Sequence, residues 1–311
     1  KDIKKGDMIV YIDNQSTGNR LDKDRYKLSE IYDIEPIGIK KVYDINVEGY
    51  NNFIANNIVV HNSLSFDDIM DFDAIRRGKP AMHIMFGVGN AIMGGILYST
   101  LALRLGLSKS MAIGKLLTDT MAALAIGNSE EIMFRDYDES KYLRVIQMKT
   151  AVLIATAAEI GARIPRGVDE RMIKYARSFG ENLGMLYQLC DDYVAVKKSI
   201  EYGEPEEDLE ENKIILPLIY LWNNLDKDDP KDNEIRMILQ KYRSKAPLTE
   251  EEYGALFKAL KERGALEYVE KYIQGYKEAA LKILDEFPEN KYTELLRLIP
   301  DFVIDAFMSE V

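Results

Sequence analysis

The rhythm of apolar and polar positions changes once along this chain, at about residue 63. Before it, short β-branched and aromatic runs, DMIVYI, KVYDINV and NNFIANNIVVHN, are separated by Asn, Gly and Asp, the texture of strands joined by turns. After it, apolar residues recur at three- and four-residue spacing over long stretches, as in helices buried on one face. This periodicity predicts helices over about 64–75, 83–105, 108–126, 138–161, 168–200, 209–224, 231–243, 249–262, 265–286 and 290–308. Thr249 ahead of Glu250, Glu251 and Glu252, and Asp169 with Glu170, mark two helix starts. The stretch 83–105 is apolar with small residues, suited to a tightly packed centre; its Met and Gly read as packing and His83 as a satisfied structural histidine. No repeat of 20 to 50 residues stands out. The switch in texture predicts a domain boundary, with a small all-β segment over 1–62 and an all-α bundle over 63–311.

Composition narrows the class. With 311 residues, 47% hydrophobic and 30% charged, the chain can bury a sizeable core in one large domain or two. A net charge of −11 argues against nucleic acid as the main partner. One Cys excludes an intramolecular disulfide framework and favours a reducing compartment. No uninterrupted apolar run reaches membrane-spanning length and no signal peptide is visible, so the expectation is a soluble, cytoplasmic protein without stable membrane insertion. The first residue, Lys1, is read as the start of a fragment or a processed end.

Two acidic clusters carry the candidate chemistry. In a helix, Asp67 and Asp71 stand at i and i+4 on one face, with Asp68 and Asp73 beside them. Such carboxylates repel unless a cation lies between them, and oxygen ligands without His or Cys suit magnesium. Arg76 and Arg77 follow, with guanidinium forks fitted to phosphate oxygens. An acidic helix start followed by basic residues is also a common solvated pattern, so DDIMD alone leaves both readings open. Asp191 and Asp192 in GMLYQLCDDYVAV are different, because their flanks are apolar on both sides. Adjacent carboxylates in a buried helix are costly without a metal or cationic partner.

SLSFDDIMDFDAIRRGKP and YQLCDDY resemble the first and second aspartate-rich motifs of the polyprenyl (isoprenyl) diphosphate synthase family. Lys149 and Thr150 in IQMKTAVL, Gly161 in EIGARI, and Lys213 with Pro217 in ENKIILPLI follow in the family's order, so the resemblance spans about 63–311. It implies an all-α isoprenoid synthase-type bundle, a homodimer, that condenses isopentenyl diphosphate with an allylic diphosphate using magnesium. The metal would be held by Asp67, Asp71 and Asp191, with Asp68 and Asp192 supporting. Arg76, Lys149 and Lys213 would neutralise the departing diphosphate, Arg77 would face isopentenyl diphosphate, and Thr150 and Gln188 would lie near the carbocation. Ser63, small and four residues before Asp67, with Tyr98 and Met93 deeper, implies a geranylgeranyl product. The chain departs from the family at Ala195, where DDxxD wants an Asp, and it lacks the family's N-terminal glycine-lysine-arginine site, so an incomplete enzyme is expected. The alternative is a catalytically impaired regulatory or partner subunit of the same fold, for which Ala195 is the only mark.

KVYDINVEGYNNFIANNIVVHNS resembles the C-terminal splicing region of an intein, a Hint-like segment. This implies that the Asn62 side-chain amide attacks its own backbone carbonyl and cuts the chain before Ser63. His61 would polarise that bond or supply a proton, and Ser63 would be the receiving nucleophile. Asn51 stands where the intein pattern often has His, and nothing resembles an intein's N-terminal portion. Cleavage after Asn62 is therefore expected without complete splicing, unless the missing upstream part arrives on another chain.

Overall fold

A computed structural model describes residues 8–12, 26–30, 53–55, 58–60, 66–70, 73–76, 79–165 and 167–309. They fall into two compact units, 1–104 and 105–311.

In the first unit, β1 (Met8–Ile12), β2 (Tyr26–Glu30), β3 (Phe53–Ala55) and β4 (Ile58–Val60) form an antiparallel sheet in the order β2-β1-β4-β3. Met8 stands opposite Glu30, Tyr11 opposite Ile58, and Phe53 opposite Val60. A single turn of helix follows, α1 (Asp67–Met70), and then β5 (Ile75–Arg76) pairs with β6 (Lys79–Pro80). Of the helix expected over 64–75, the described residues show one turn, and residues 73–76 are not helical. Gly78 and Pro80 favour a reversal over helix continuation, and the Ala81 amide returns to the Ala74 carbonyl at 2.9 Å. The helix expected over 83–105 is two, α2 (Met82–Phe86) and α3 (Val88–Lys109), parted at Gly87, whose φ of 81° suits a residue without a Cβ. Residues 105–109 of α3 belong to the second unit. His83 is not the satisfied histidine expected, since its buried Nδ1 has no hydrogen-bond partner among the described residues.

The second unit is helical. It contains the end of α3, then α4 (Met111–Met133), α5 (Glu139–Ile146), a π-turn at Gln147–Ala151, α6 (Val152–Arg163), α7 (Glu170–Tyr202), α8 (Glu207–Glu210) and α9 (Leu216–Asn223). There follow α10 (Pro230–Arg243), α11 (Glu250–Glu262), α12 (Ala265–Ile283) with a 3-10 turn at Leu284–Glu286, and α13 (Lys291–Met308). The starts are written locally. Asp169 caps α7 by accepting from the Arg171 amide, and Thr249 with Glu252 closes a reciprocal capping box on α11. Gly203, at φ 76°, ends α7.

α7 is the central element, packing against α6, α12 and α13. Its Leu186, Leu189, Cys190 and Val196 are wholly buried with Leu218 and Leu221 of α9, Leu239 of α10 and Leu256 of α11. Each such leucine contributes about 2 kcal/mol through burial. The helix expected over 209–224 divides into α8 and α9, because Asn212 adopts a left-handed φ of 59° and Pro217, lacking an amide hydrogen, sits in the first turn of α9.

Against the sequence expectation, the helical stretches Val88–Lys109 and Glu139–Arg163 are long and apolar enough to cross a membrane by length and composition. The second stretch carries a buried charge and packs on a neighbouring helix. Its Glu159 is buried and ion-paired to Arg163 and Arg177, both at 2.8 Å, and α6 lies against α7.

Candidate functional site

Three carboxylates converge in the helical unit. Asp191 and Asp192 lie one turn beyond Gln188 on α7, and α8 brings Asp208 to them, so that an oxygen from each lies within 4.8 Å of the other two. Asp192 is fully buried and Asp191 partly so. Burial, then the charge of Asp208, pushes Asp191 up to about 6 and Asp192 up to about 7. Gln188 Nε2 donates to Asp192 Oδ1 at 3.0 Å and to Asp191 Oδ2 at 3.2 Å, and the Tyr142 hydroxyl donates to Asp192 Oδ2.

Two lysines border the cluster. Lys213 Nζ is 3.0 Å from Asp208 Oδ1 and 2.9 Å from Glu211 Oε2, and its amide donates to the Asp208 carbonyl at 2.9 Å. The left-handed turn at Asn212 sets that geometry. Lys149, in the π-turn, pairs with Glu131 of α4. Burial would lower the Lys149 pKa, but Glu131 more than offsets it and the ammonium is held charged. Next to it, Thr150 Oγ1 donates to Gln188 Oε1 at 2.8 Å, joining the turn to the acidic pair. A π-turn carries an extra backbone residue and needs room. Gly127 of α4 and Gly184 of α7 provide it, since a Cβ on Gly127 would lie 2.7 Å from the Lys149 amide nitrogen.

Of the residues expected at the site, Lys149, Thr150, Gln188, Asp191, Asp192 and Lys213 therefore converge within residues 105–311. In the other unit Asp68 and Asp73 are buried, Asp67 opens α1 and Arg76 lies on β5 rather than a helix. Asp71, Arg77 and the junction residues His61, Asn62 and Ser63 lie outside the described residues. Met93, expected at a tunnel floor, is 60% exposed, which places it on the surface of its unit. Among the described residues, nothing beyond its own helix lies within 4 Å of where a Cβ on Gly161 would stand. At Ala195 the carbonyl accepts from Ser199 Oγ, and the third carboxylate of the cluster comes from Asp208 instead. Asp208, Tyr142, Glu131 and Glu211 were not singled out from sequence. Asp208 and Glu211 sit in EPEEDLEEN, an acidic run that reads as a solvated face, and the one available signal was Lys213 close behind it.

The donor set fits a hard divalent cation. All three groups are carboxylates, with neither His nor Cys, and burial, then the charge of Asp208, raises two of them, a cost that a bound cation would offset.

The family model for polyprenyl synthetases matches residues 54–256, beginning ahead of Ser63. A geranylgeranyl diphosphate synthase of Methanosarcina mazei is 31% identical over 264 residues, covering 79% of this chain and 76% of the relative. A geranylfarnesyl diphosphate synthase of Aeropyrum pernix is 29% identical, covering 78% of each. A polyprenyl synthase from Caulobacter crescentus CB15, crystallised with calcium and isoprenyl diphosphate, superposes with a TM-score of 0.68 at 28% identity, covering 78% of this chain and 74% of that one. With its helical fold and acidic cluster, the chain belongs to the polyprenyl synthetase family, the prenyltransferases that make polyprenyl diphosphates.

Proposed function

We propose that the chain condenses isopentenyl diphosphate with an allylic diphosphate in a magnesium-dependent reaction, and that its product is geranylgeranyl diphosphate. The observation that carries this is the convergence of Asp191, Asp192 and Asp208 beside Lys213 and Lys149. Asp191, with Asp67, Asp68 and Asp71, would hold the metal, which when bound shields phosphate charge and favours departure of the diphosphate. As the carbon–oxygen bond breaks, negative charge grows on the leaving group. Lys149 and Lys213, and by the family pattern Arg76, would stabilise that charge more than the ground state. By the family pattern Arg77 would face isopentenyl diphosphate, and Gln188, which accepts from Thr150, would lie near the carbocation. The calcium in the Caulobacter crescentus structure supports a divalent ion, and the Methanosarcina mazei and Aeropyrum pernix synthase names support a long product. Asp208 beside the pair favours an enzyme over a non-catalytic partner subunit, despite Ala195. We assign the protein to the cytoplasm as a homodimer. The test supplies the missing upstream part by ligation or co-expression, incubates the resulting full-length form with labelled isopentenyl diphosphate and an allylic primer, and separates the products by chromatography. Turnover should need magnesium and fall by orders of magnitude in Asp191→Asn. Turnover in EDTA would overturn the metal assignment, and exclusively fifteen-carbon product the chain length.

We further propose that residues 1–62 are the C-terminal part of an intein and 63–311 the synthase portion. The Asn62 amide nitrogen would attack its own backbone carbonyl carbon, closing a succinimide as the bond to Ser63 breaks and leaves a free Ser63 amine. His61 would donate the proton that the leaving amine takes. The motif run ending at HNS carries this reading, and the antiparallel strands within residues 8–60 are compatible with it. Mass spectrometry of the intact chain should find a slowly released fragment beginning at Ser63. The same cleavage in Asn62→Ala would overturn the mechanism.

A further inference from the structure

The two neighbouring aspartates are held in different ways. Both carboxylate oxygens of Asp192 are engaged, Oδ1 by Gln188 and Oδ2 by the Tyr142 hydroxyl, and the residue is 1% exposed. Asp191 is more open, and its hydrogen bond from Gln188 goes to Oδ2 at 3.2 Å. Closed off from solvent and held at both oxygens, Asp192 is the less accessible of the two to an incoming cation, whereas Asp191 is partly open. Tyr142 lies in the first turn of α5 beside the core, 3% exposed, and its hydroxyl donates to a group 50 positions away in sequence. A buried hydroxyl without a partner would cost about 1–3 kcal/mol, so this contact fixes the ring and the carboxylate together.

We propose that Tyr142 is a positioning residue for the metal ligand Asp191. Its hydroxyl pins Asp192, Asp192 holds the Gln188 amide, and that same amide orients Asp191. Asp192 thus acts as a support and Asp191 as the ligand. This rests on the reading of the acidic cluster as a divalent-cation site.

The test uses the full chain and magnesium and manganese as probes. Affinity is read by calorimetry and by the loss of free manganese signal in electron paramagnetic resonance, and fold integrity by thermal melting. Tyr142→Phe removes one oxygen and should weaken divalent binding about 10- to 100-fold, the cost of losing a support behind a ligand. Tyr137→Phe is the control. That tyrosine is equally buried and also loses one hydroxyl contact, to the Leu239 carbonyl at 2.7 Å, but should bind metal like the unsubstituted chain. Because Tyr142 works through Asp192, Tyr142→Phe combined with Asp192→Asn should bind no more weakly than the weaker single variant. Unchanged affinity in Tyr142→Phe, equal weakening in Tyr137→Phe, or full additivity would each overturn the inference while leaving the metal site standing. Absence of divalent binding in the unsubstituted chain would overturn the site itself, and the inference with it.

Discussion

A methyl group on Gly184 would lie 2.5 Å from the Cα of Ala151 and 3.2 Å from its carbonyl oxygen, so α7 and the π-turn meet backbone to backbone. Neither atom is the end of a flexible side chain that could swing away. Gly184→Ala should therefore destabilise the protein by about 1–3 kcal/mol, outweighing the gain of about 1 kcal/mol that Ala offers in a helix. Gly275→Ala on α12, where among the described residues nothing beyond its own helix lies within 4 Å of the added methyl, should be neutral or stabilising. Urea unfolding of the two variants is the check, and equal midpoints would contradict the close contact.

The metal-free protein should lose stability as pH rises. Asp191 and Asp192, pushed up to about 6 and about 7, hold protons in the folded state that the unfolded chain releases above about pH 4. Their contribution is complete below that pH and is lost as pH climbs through 6 and 7. Thermal midpoints in EDTA should fall between about pH 5 and 8, and magnesium should restore most at the upper end. The double variant Asp191→Asn with Asp192→Asn should show a flatter profile.

Asn212 pays for its left-handed conformation, at φ 59°, and its buried Oδ1 has no partner among the described residues. Asn212→Ala should lose about 1 kcal/mol, because a Cβ without a local hydrogen bond is disfavoured there. Asn212→Gly should stay within about 0.5 kcal/mol of the parent. The alanine variant should also bind inorganic diphosphate more weakly through displaced Lys213, measured by calorimetry, and the glycine variant should not.

Cys190, the one cysteine of the chain, is fully buried, and burial followed by the charge of Asp191 pushes its thiol up to about 12. Almost no thiolate is present at pH 8. A chromogenic disulfide reagent should find no reactive thiol in the folded chain and one after guanidinium unfolding; rapid reaction in the native protein would show that α7 opens.

The site was legible where local chemistry contradicted its surroundings. Asp191 and Asp192 stood out because charge interrupted an apolar helix, and the structure places them in the core-facing part of α7. Lys149, Thr150 and Lys213 were visible only through the order of motifs, since single lysines resemble any surface lysine. Asp208 was hidden because its neighbours are also acidic and only the return of the chain through α8 brings it to the pair. Periodicity gave most helices of residues 105–311 nearly to their ends, helped by caps such as Asp169 and Thr249, but stopped at residue 126 where α4 runs on to Met133. It overran α1 and missed the break at Asn212, because an apolar rhythm continues through residues whose backbone turns away.

The π-turn also sets an angular frame. Each residue of an α-helix advances about 100° around the axis, so one extra residue held between Gln147 and Ala151 rotates all of α6 relative to α5 by that amount. Deleting one residue from QMKTA would leave a smoother helix of nearly unchanged composition, yet it would swing Glu159 away from Arg177 and Ala155 away from Gly180. This segment is therefore more sensitive to its length than to its chemistry, in the way a screw thread is ruined by a skipped pitch though the metal is sound.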